Sequence, residues 1–338
     1  MARLIQPTRR KLLKSAPLVL AAPAILRHPA AARLLRGSAN TTVTPYARPL
    51  PAPAAEVGFN TVTMFDDFDS PDTIDVNNAL TSNFKWFVTN TCIPQDSPDG
   101  TQAAGVTQQP ASVSLDGSIL TFAPTANSGG WLTSAGYTGV SGSRFVGSLI
   151  APTGGYFEIK MAFDPTKNRP DEFTYPFTYW PAFWMEDWAL SLAINDQNTA
   201  SVNRPELDFF EYFGNFGLGA AYGFGLHDWT DNIHNVSTIG SAYDPTLAPD
   251  SWAGMHTYGT RWRTQAQNGG TGLIERYFDG VHITAADVTY SSSITSPDAG
   301  TGAFTGVFSD LDTSVGFAIQ FGTGPSWPIY VDYVIACQ

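Results

Sequence analysis

Three features of the sequence predict an all-β fold, a sandwich of antiparallel sheets. Aromatic residues make up 13% of the chain and stand among many Thr and Val, residue types that suit a pleated, half-buried strand. Short aromatic or β-branched runs alternate with clusters of Gly, Asn, Asp, Ser and Pro, the pattern of strands joined by turns. Stretches of helical period are nearly absent, so the economical way to bury a core is sheet on sheet. At 338 residues the chain exceeds the common one-domain size, but sandwiches often run past about two hundred residues as one unit.

The elements follow in chain order. "TRRKLLKSAPLVLAAPAIL" carries Arg9 and Arg10, a basic flank ending at Lys14, and an apolar run interrupted by Pro17 and Pro23. It is too short to span a bilayer as a stable helix. Residues 1–32 are therefore expected to be an export signal that looks like the twin-arginine type, cut after "PAAA" or after "AAPA". Residues 33–57, rich in Ala, Pro and small polar residues, read as a linker or flexible arm. Residues 58–338 are expected to form one domain, with strands in "TVTMFDDF", "SVSLDGSILTFAP", "GGYFEIKMAF", "YWPAFWMED", "MHTYGTRWRT", "GLIERYFDGVHI", "VGFAIQFG" and "PIYVDYVIAC". No later segment has eighteen uninterrupted apolar residues, so no membrane anchor is expected.

Charge narrows the partners. The formal net charge of −12 becomes −18 if residues 1–32 are removed, because Arg3, Arg9, Arg10, Lys11, Lys14 and Arg27 leave with no acid among them. Such a surface repels phosphate backbones and anionic lipid, which argues against nucleic acid or membrane as the principal partner and permits a neutral substrate. A monomer is expected. Two cysteines, Cys92 and Cys337, cannot build a disulfide framework or a four-thiolate zinc site; in an exported protein they are either joined or two separate thiols. Five histidines with no close metal-ligand pair argue against a catalytic zinc. There is no Gly-Lys-Ser/Thr phosphate loop and no Gly-x-Ser-x-Gly elbow.

One stretch stands out. "RPELDFFEYFG", residues 204–214, places three carboxylates within six residues of an aromatic run, although charged side chains are only 14% of the chain. A two-residue strand period puts Glu206 and Asp208 on one face and sends Glu211 to the other. Taken alone, the acids could simply lie on a solvated strand face. The neighbours Leu207, Phe209, Phe210, Tyr212 and Phe213 suggest instead a buried neighbourhood in which unpaired charge is costly.

"GGYFEIKM", "YWPAFWME", "PELDFFEYFG", "GLHDW", "MHTYGTRW", "YFDGV" and "YVDYV" occur in an order and spacing that resemble glycoside hydrolase family 16, the laminarinases, lichenases, agarases and related endo-glycanases. The resemblance covers most of residues 58–338. It implies a β-jelly-roll sandwich of two curved antiparallel sheets, concanavalin A-like, with a sugar cleft along the concave face. It also implies a β-bulge in Glu-x-Asp-x-x-Glu, where the extra Phe209 or Phe210 turns Glu211 back to the face of Glu206 and Asp208. The glutamates then stand four strand steps apart, about 13 Å at about 3.3 Å each. Long side chains leaning together can close that to about 5–5.5 Å, the separation a retaining glycosidase needs.

The family pattern assigns Glu206 as nucleophile, Glu211 as acid and base, and Asp208 as the charge between them that favours a protonated neighbour and orients the nucleophile. Trp180, Ala182 and Trp184 share a strand face suited to stacking on a pyranose ring, and packing is the alternative role for both tryptophans. His227, on the expected neighbouring strand, is expected to be a hydrogen-bonding partner for sugar hydroxyls or the acid, with a packed imidazole as the alternative, whereas His256 fits packing at least as well. Catalysis calls for no cofactor. The resemblance also implies a structural calcium ion on the convex side, held by Asp332 with backbone carbonyls near the N-terminal strand, with a plain surface acid as the alternative reading of Asp332. The expected partner is a polysaccharide. Sulfated galactans call for basic residues, of which Arg204 and Arg261 are the nearest, so a neutral β-glucan with β-1,3 or mixed β-1,3/1,4 linkages is the first choice, cut by hydrolysis or transferred by the same residues. A non-catalytic carbohydrate-binding sandwich is the alternative.

Overall fold

The computed structural model describes residues 48–77, 79–88, 113–122, 130–137, 145–164, 181–187, 203–212, 222–230, 233–242, 254–290, 295–298, 302–305, 311–312, 316–323 and 328–338. A short helix, α1 (Ala52–Ala55), precedes the strands β1 (Val62–Asp66), β2 (Ile74–Asp75), β3 (Trp86–Phe87), β4 (Val113–Asp116), β5 (Ile119–Phe122), β6 (Gly130–Thr133), β7 (Ala135–Tyr137), β8 (Phe145–Gly147) and β9 (Gly155–Ala162). They continue as β10 (Ala182–Asp187), β11 (Asn203–Glu211), β12 (Tyr222–Thr230), β13 (Ile233–Ala242), β14 (His256–Arg263), β15 (Gly272–Phe278) and β16 (Val281–His282). The remaining strands are β17 (Val288–Tyr290), β18 (Thr295–Asp298), β19 (Gly302–Thr305), β20 (Phe317–Thr323) and β21 (Ile329–Cys337). Each of the eight runs expected to be extended contains a strand, and the architecture is the expected all-β jelly-roll sandwich.

Two large sheets carry the fold. Sheet A runs β16-β15-β14-β9-β21-β5-β4, with β1 also paired to β21 and β17 to β15. Sheet B runs β13-β12-β11-β10-β20-β6-β3-β2. Every pairing is antiparallel except the edge pair β2–β3, two residues each, which is parallel. Two hairpins show how local sequence sets register. Asp279 and Gly280 both have positive φ, 48° and 76°, the Asp-Gly turn that matches strand twist between β15 and β16. Gly117, φ 65°, opens the two-residue turn between β4 and β5.

The core lies between the sheets. On β9, Phe157, Ile159 and Met161 point inward while Tyr156, Glu158 and Lys160 point outward, as a two-residue period requires. Tyr258 and Trp262 of β14 and Ile274 and Phe278 of β15 join them from sheet A. From sheet B they meet Phe183, Met185, Leu207, Phe210, Ile319 and Phe321. At one end, Trp86 packs edge-on to Phe321 with ring centroids 4.7 Å apart.

A second cluster covers the outer face of sheet A: Ala54, Phe59, Phe65, Tyr156, Tyr277, Ile335 and Cys337. Part of the stretch expected as a linker contributes to it: Leu50, Pro53 and Ala54 are packed, while Arg48, Ala52, Ala55, Glu56 and Val57 stay exposed. Pro51 precedes α1, Ala54 is buried, and Arg261 Nη1 donates to the Pro53 carbonyl at 3.1 Å. The Arg48 guanidinium lies over the Phe65 and Tyr333 rings. The export signal and Cys92 lie outside the described residues. Cys337 is a buried free thiol enclosed by this cluster, and burial, aided by nearby Glu158, pushes its pKa up to about 12. Among the described residues, no helix is long and apolar enough to cross a membrane.

Candidate active site

β11 is the strand on which the acids sit, and its register contains one extra residue. Phe183 of β10 pairs with Phe210, but the next residue, Trp184, pairs with Asp208, so Phe209 has no partner in the ladder. The other neighbour agrees: between Leu207 and Glu211 on β11, strand β12 advances only from Leu226 to Gly223. Phe209 is anchored by the core, with its ring stacked on Phe157 at 4.6 Å and set against Phe183 at 4.7 Å. A bulge re-aims every side chain beyond it. Here it restores Glu211 to the face of Glu206 and Asp208.

The rungs of sheet B make this visible, because directly paired residues share a face. The inward rungs are Leu226, Leu207, Met185 and Ile319, and then Phe210, Phe183, Phe321 and Leu132, all members of the core. Between and beside them, three rungs face away from the core. The first places Glu206 between the β12 position of His227 and Glu186, with Ala318 next. The second is Asp208, Trp184, Gln320 and Thr133. The third is Gly223, Glu211, Ala182, Gly322 and Trp131.

These positions have distinct environments. Asp208 is 2% exposed and Glu211 5%, whereas Glu206 is the more open of the three. Carboxylates this deep are costly, and proteins keep such costs mainly where function requires them. Ala182, fully buried, and Gly322 are the small residues on the rung between Glu211 and Trp131. Trp184, partly exposed, stands beside that rung with its ring edge-on to Trp131 at 4.8 Å. A flat apolar ring flanking carboxylates is a surface on which a sugar ring can stack while its polar groups meet acids. Tyr212, next to Glu211, packs on Phe163, and its phenol is pushed up to about 12 by burial first and by Asp164 second.

The predicted residues are thus brought together in part. Glu206, Asp208, Glu211 and Trp184 share one face, and the backbone register sets His227 opposite Glu206. The His227 side chain and all of Trp180 lie outside the described residues. Glu186 was missed, although it continues the alternation of Trp180, Ala182 and Trp184. It is a fourth carboxylate on this face, 1% exposed and directly across from Glu206. Trp131, in "GGWLTS", was missed because one aromatic in a short strand gives no signal of its own.

Arg261 is corrected: it lies on the outer face of sheet A, where its guanidinium meets both Glu275 oxygens at 2.7 Å. His256 bonds to Asp279 at 2.7 Å and stacks on Phe278, a packing role. The Asp332 carboxylate is ion-paired with Lys160 Nζ at 2.7 Å. An ammonium group at that carboxylate repels a divalent cation, so the residues present do not fit a calcium ion there. Ligand atoms of Glu275 on β15, His282 on β16 and Asp287 just before β17 do lie within 4.8 Å of one another. The Arg261 and Arg263 guanidiniums already supply counter-charge to Glu275.

No protein-family model and no curated protein matches the chain. Among solved structures it is similar to an endo-1,3-β-glucanase from Streptomyces sioyaensis, with 20% identity, 82% of this chain and 95% of that one covered, and a TM-score of 0.49. It is also similar to a GlcNAcα1-4Gal-releasing endo-β-galactosidase from Clostridium perfringens, with 16% identity, 82% of this chain covered and a TM-score of 0.48; the match spans 62% of that enzyme's length. A third is an immunostimulatory antigen and pseudo β-1,3-glucanase of Mycobacterium tuberculosis, with 18% identity, 82% and 98% covered, and a TM-score of 0.42. At these identities each is a likeness of chain path, and the two-sheet architecture rests on the strand pairing itself.

Proposed function

We propose that this chain is an exported, retaining endo-β-glycanase that cuts internal bonds of a neutral β-glucan. The observation that carries the reading is the one-residue bulge at Phe209, which gathers Glu206, Asp208 and Glu211 on one face of sheet B beside Trp184. In this reading the Glu206 carboxylate attacks the anomeric carbon and forms the glycosyl-enzyme bond. Glu211 protonates the departing glycosidic oxygen, then takes a proton from the water that displaces Glu206. Two displacements at one carbon return the original configuration. Asp208, on the rung between them, holds negative charge near both. An acceptor sugar in place of that water would make the same site a transglycosylase.

The neutral substrate is supported by the absence of any Lys or Arg from the three acid-bearing rungs among the described residues. A sulfated chain would meet carboxylates, Trp184, Trp131, Gln320 and Thr133 on those rungs, with Arg204 standing two residues before Glu206 on β11. Export rests on the paired Arg9 and Arg10 and the apolar run that follows.

The test is reducing-end release by the protein lacking residues 1–32 from neutral β-glucans, xyloglucan, agarose and carrageenan, beside Glu206→Gln and Glu211→Gln. Activity on a neutral β-glucan that is lost in both variants is the expected result. Binding without cleavage that survives both substitutions would make the chain a carbohydrate-binding sandwich instead.

A further inference from the structure

The bulge that gathers the acids removes Phe209 from the ladder and leaves nearby backbone carbonyls to find partners elsewhere. The opposite sheet supplies them. Arg276 Nη2 donates to the Asp208 carbonyl at 2.9 Å, and Thr260 Oγ1 donates to the Phe209 carbonyl at 3.2 Å. These are consecutive carbonyls. Their two donors are direct cross-strand partners on β14 and β15.

Both donors are unusual where they stand. Arg276 is 1% exposed and lies on the inward face of β15 between the core residues Ile274 and Phe278. Thr260, fully buried, lies on the inward face of β14 between Tyr258 and Trp262. A sandwich core has no use for a guanidinium or a hydroxyl as filler, because each must be hydrogen-bonded once out of water. An Arg side chain is long enough to cross between sheets about 10 Å apart. The short Thr side chain reaches Phe209 only because β11 comes close to sheet A at the bulge.

An unbulged β11 would lack this carbonyl arrangement and would turn Glu211 into the aromatic core near Phe210. The two donors therefore recognise one register of β11, the one that presents all three acids.

We propose that Thr260 and Arg276 are positioning residues for the carboxylate site, acting through the cross-sheet hydrogen bonds that hold the Phe209 bulge and so the placement of Glu211 relative to Glu206. The proposal rests on the reading of those glutamates as the working pair for its catalytic consequence, but its structural content stands apart from it. Neither residue touches substrate. They act from the far side of the strand.

The test compares Thr260→Val, which keeps shape and loses the hydroxyl, with Thr260→Ser, which keeps the hydroxyl, and Arg276→Met with Arg276→Lys. Two readouts are taken on folded protein: hydrogen exchange of β11 amides with β9 as internal reference, and kcat with KM on the polysaccharide the wild type cuts. In Thr260→Val and Arg276→Met, β11 is expected to exchange at least about tenfold faster relative to β9. In the same variants kcat is expected to fall about tenfold or more, with KM within about twofold. Thr260→Ser is expected to remain near wild type.

Unchanged β11 exchange in Thr260→Val and Arg276→Met would overturn the clamp, as would equal kcat losses in the Val and Ser variants. A wild type that cuts no glycan but shows selective β11 acceleration in both variants would support the clamp and overturn the glycanase reading.

Discussion

Replacing Arg261 by Met tests how the N-terminal arm is fastened to sheet A. Arg261 is 8% exposed and Glu275 is 4% exposed, and the guanidinium makes two 2.7 Å bonds to that carboxylate. The same guanidinium reaches the Pro53 carbonyl at 3.1 Å and Glu56 at 3.2 Å. Burial alone would raise the Glu275 pKa, but the Arg261 bonds and charge, with Arg263 adding to them, bring it below the ordinary value. Removing one partner of a buried pair typically costs about 3–5 kcal/mol, because the other charge is left without compensation. Arg263 Nε stands 3.4 Å from the same carboxylate and can take over part of the role, so the lower end, about 3 kcal/mol, applies.

At about 2.1 cal/mol/K per residue, a folded region of about 280 residues would lose about 5 °C in Tm. The assay is urea unfolding followed by tryptophan fluorescence, with Arg261→Met/Glu275→Leu beside the single variant. The double variant removes both charges and is expected to recover to within about 1 kcal/mol of wild type. A single variant within about 1 kcal/mol of wild type, or a double variant as unstable as the single, would refute the reasoning.

Glu158 is buried with Tyr156 and Tyr333 each donating to it at 2.6 Å, and burial raises its pKa above the ordinary 4.5 despite those bonds. A folded-state pKa above the unfolded one stabilises below the unfolded value and is lost as pH rises through the folded one. The stability of Glu158→Gln relative to wild type should therefore increase with pH above 4.5, as read by denaturant midpoints, and a constant difference would contradict this. Trp184→Ala should raise KM about tenfold, about 1.4 kcal/mol, with a smaller change in kcat, measured by steady-state kinetics on the preferred glucan. Melting curves in calcium and in chelator should coincide, since Lys160 neutralises Asp332, and a shift of several degrees would show an ion bound elsewhere or in its place. A thiol reagent should leave Cys337 unmodified in the native protein and label it in urea.

The strand runs were legible because each has period two or β-branched and aromatic enrichment, and the turns were legible where Asp-Gly or a lone Gly breaks them. The bulge was legible from a conflict: Glu211 has the wrong parity for Glu206 and Asp208, and the family resemblance supplied the extra residue. What escaped was long-range. Thr260 meets Phe209 across 51 residues, and Arg276 meets Asp208 across 68, and no local pattern encodes such meetings. Arg261 was named with Arg204 as a nearest basic candidate for the cleft, yet alternation against Thr260 turns it to the opposite face of β14. The arm at 48–57 has the composition of a linker, and only the apolar outer face of sheet A, which needed covering, makes it structure.

The position of β21 bears on how such a molecule is made. It lies between β9 and β5, and it also pairs with β1, so that Thr63 bonds to Ala336 across a separation of 273 residues. On a ribosome, sheet A has a gap at its centre until residues 329–337 have emerged, and β1 has no neighbour to dock on before then. Completion of sheet A consequently depends on distant pairings and is slow for that reason. During that interval the inward faces of β5 and β9, bearing Phe122 and Phe157, are surfaces a chaperone would have reason to cover.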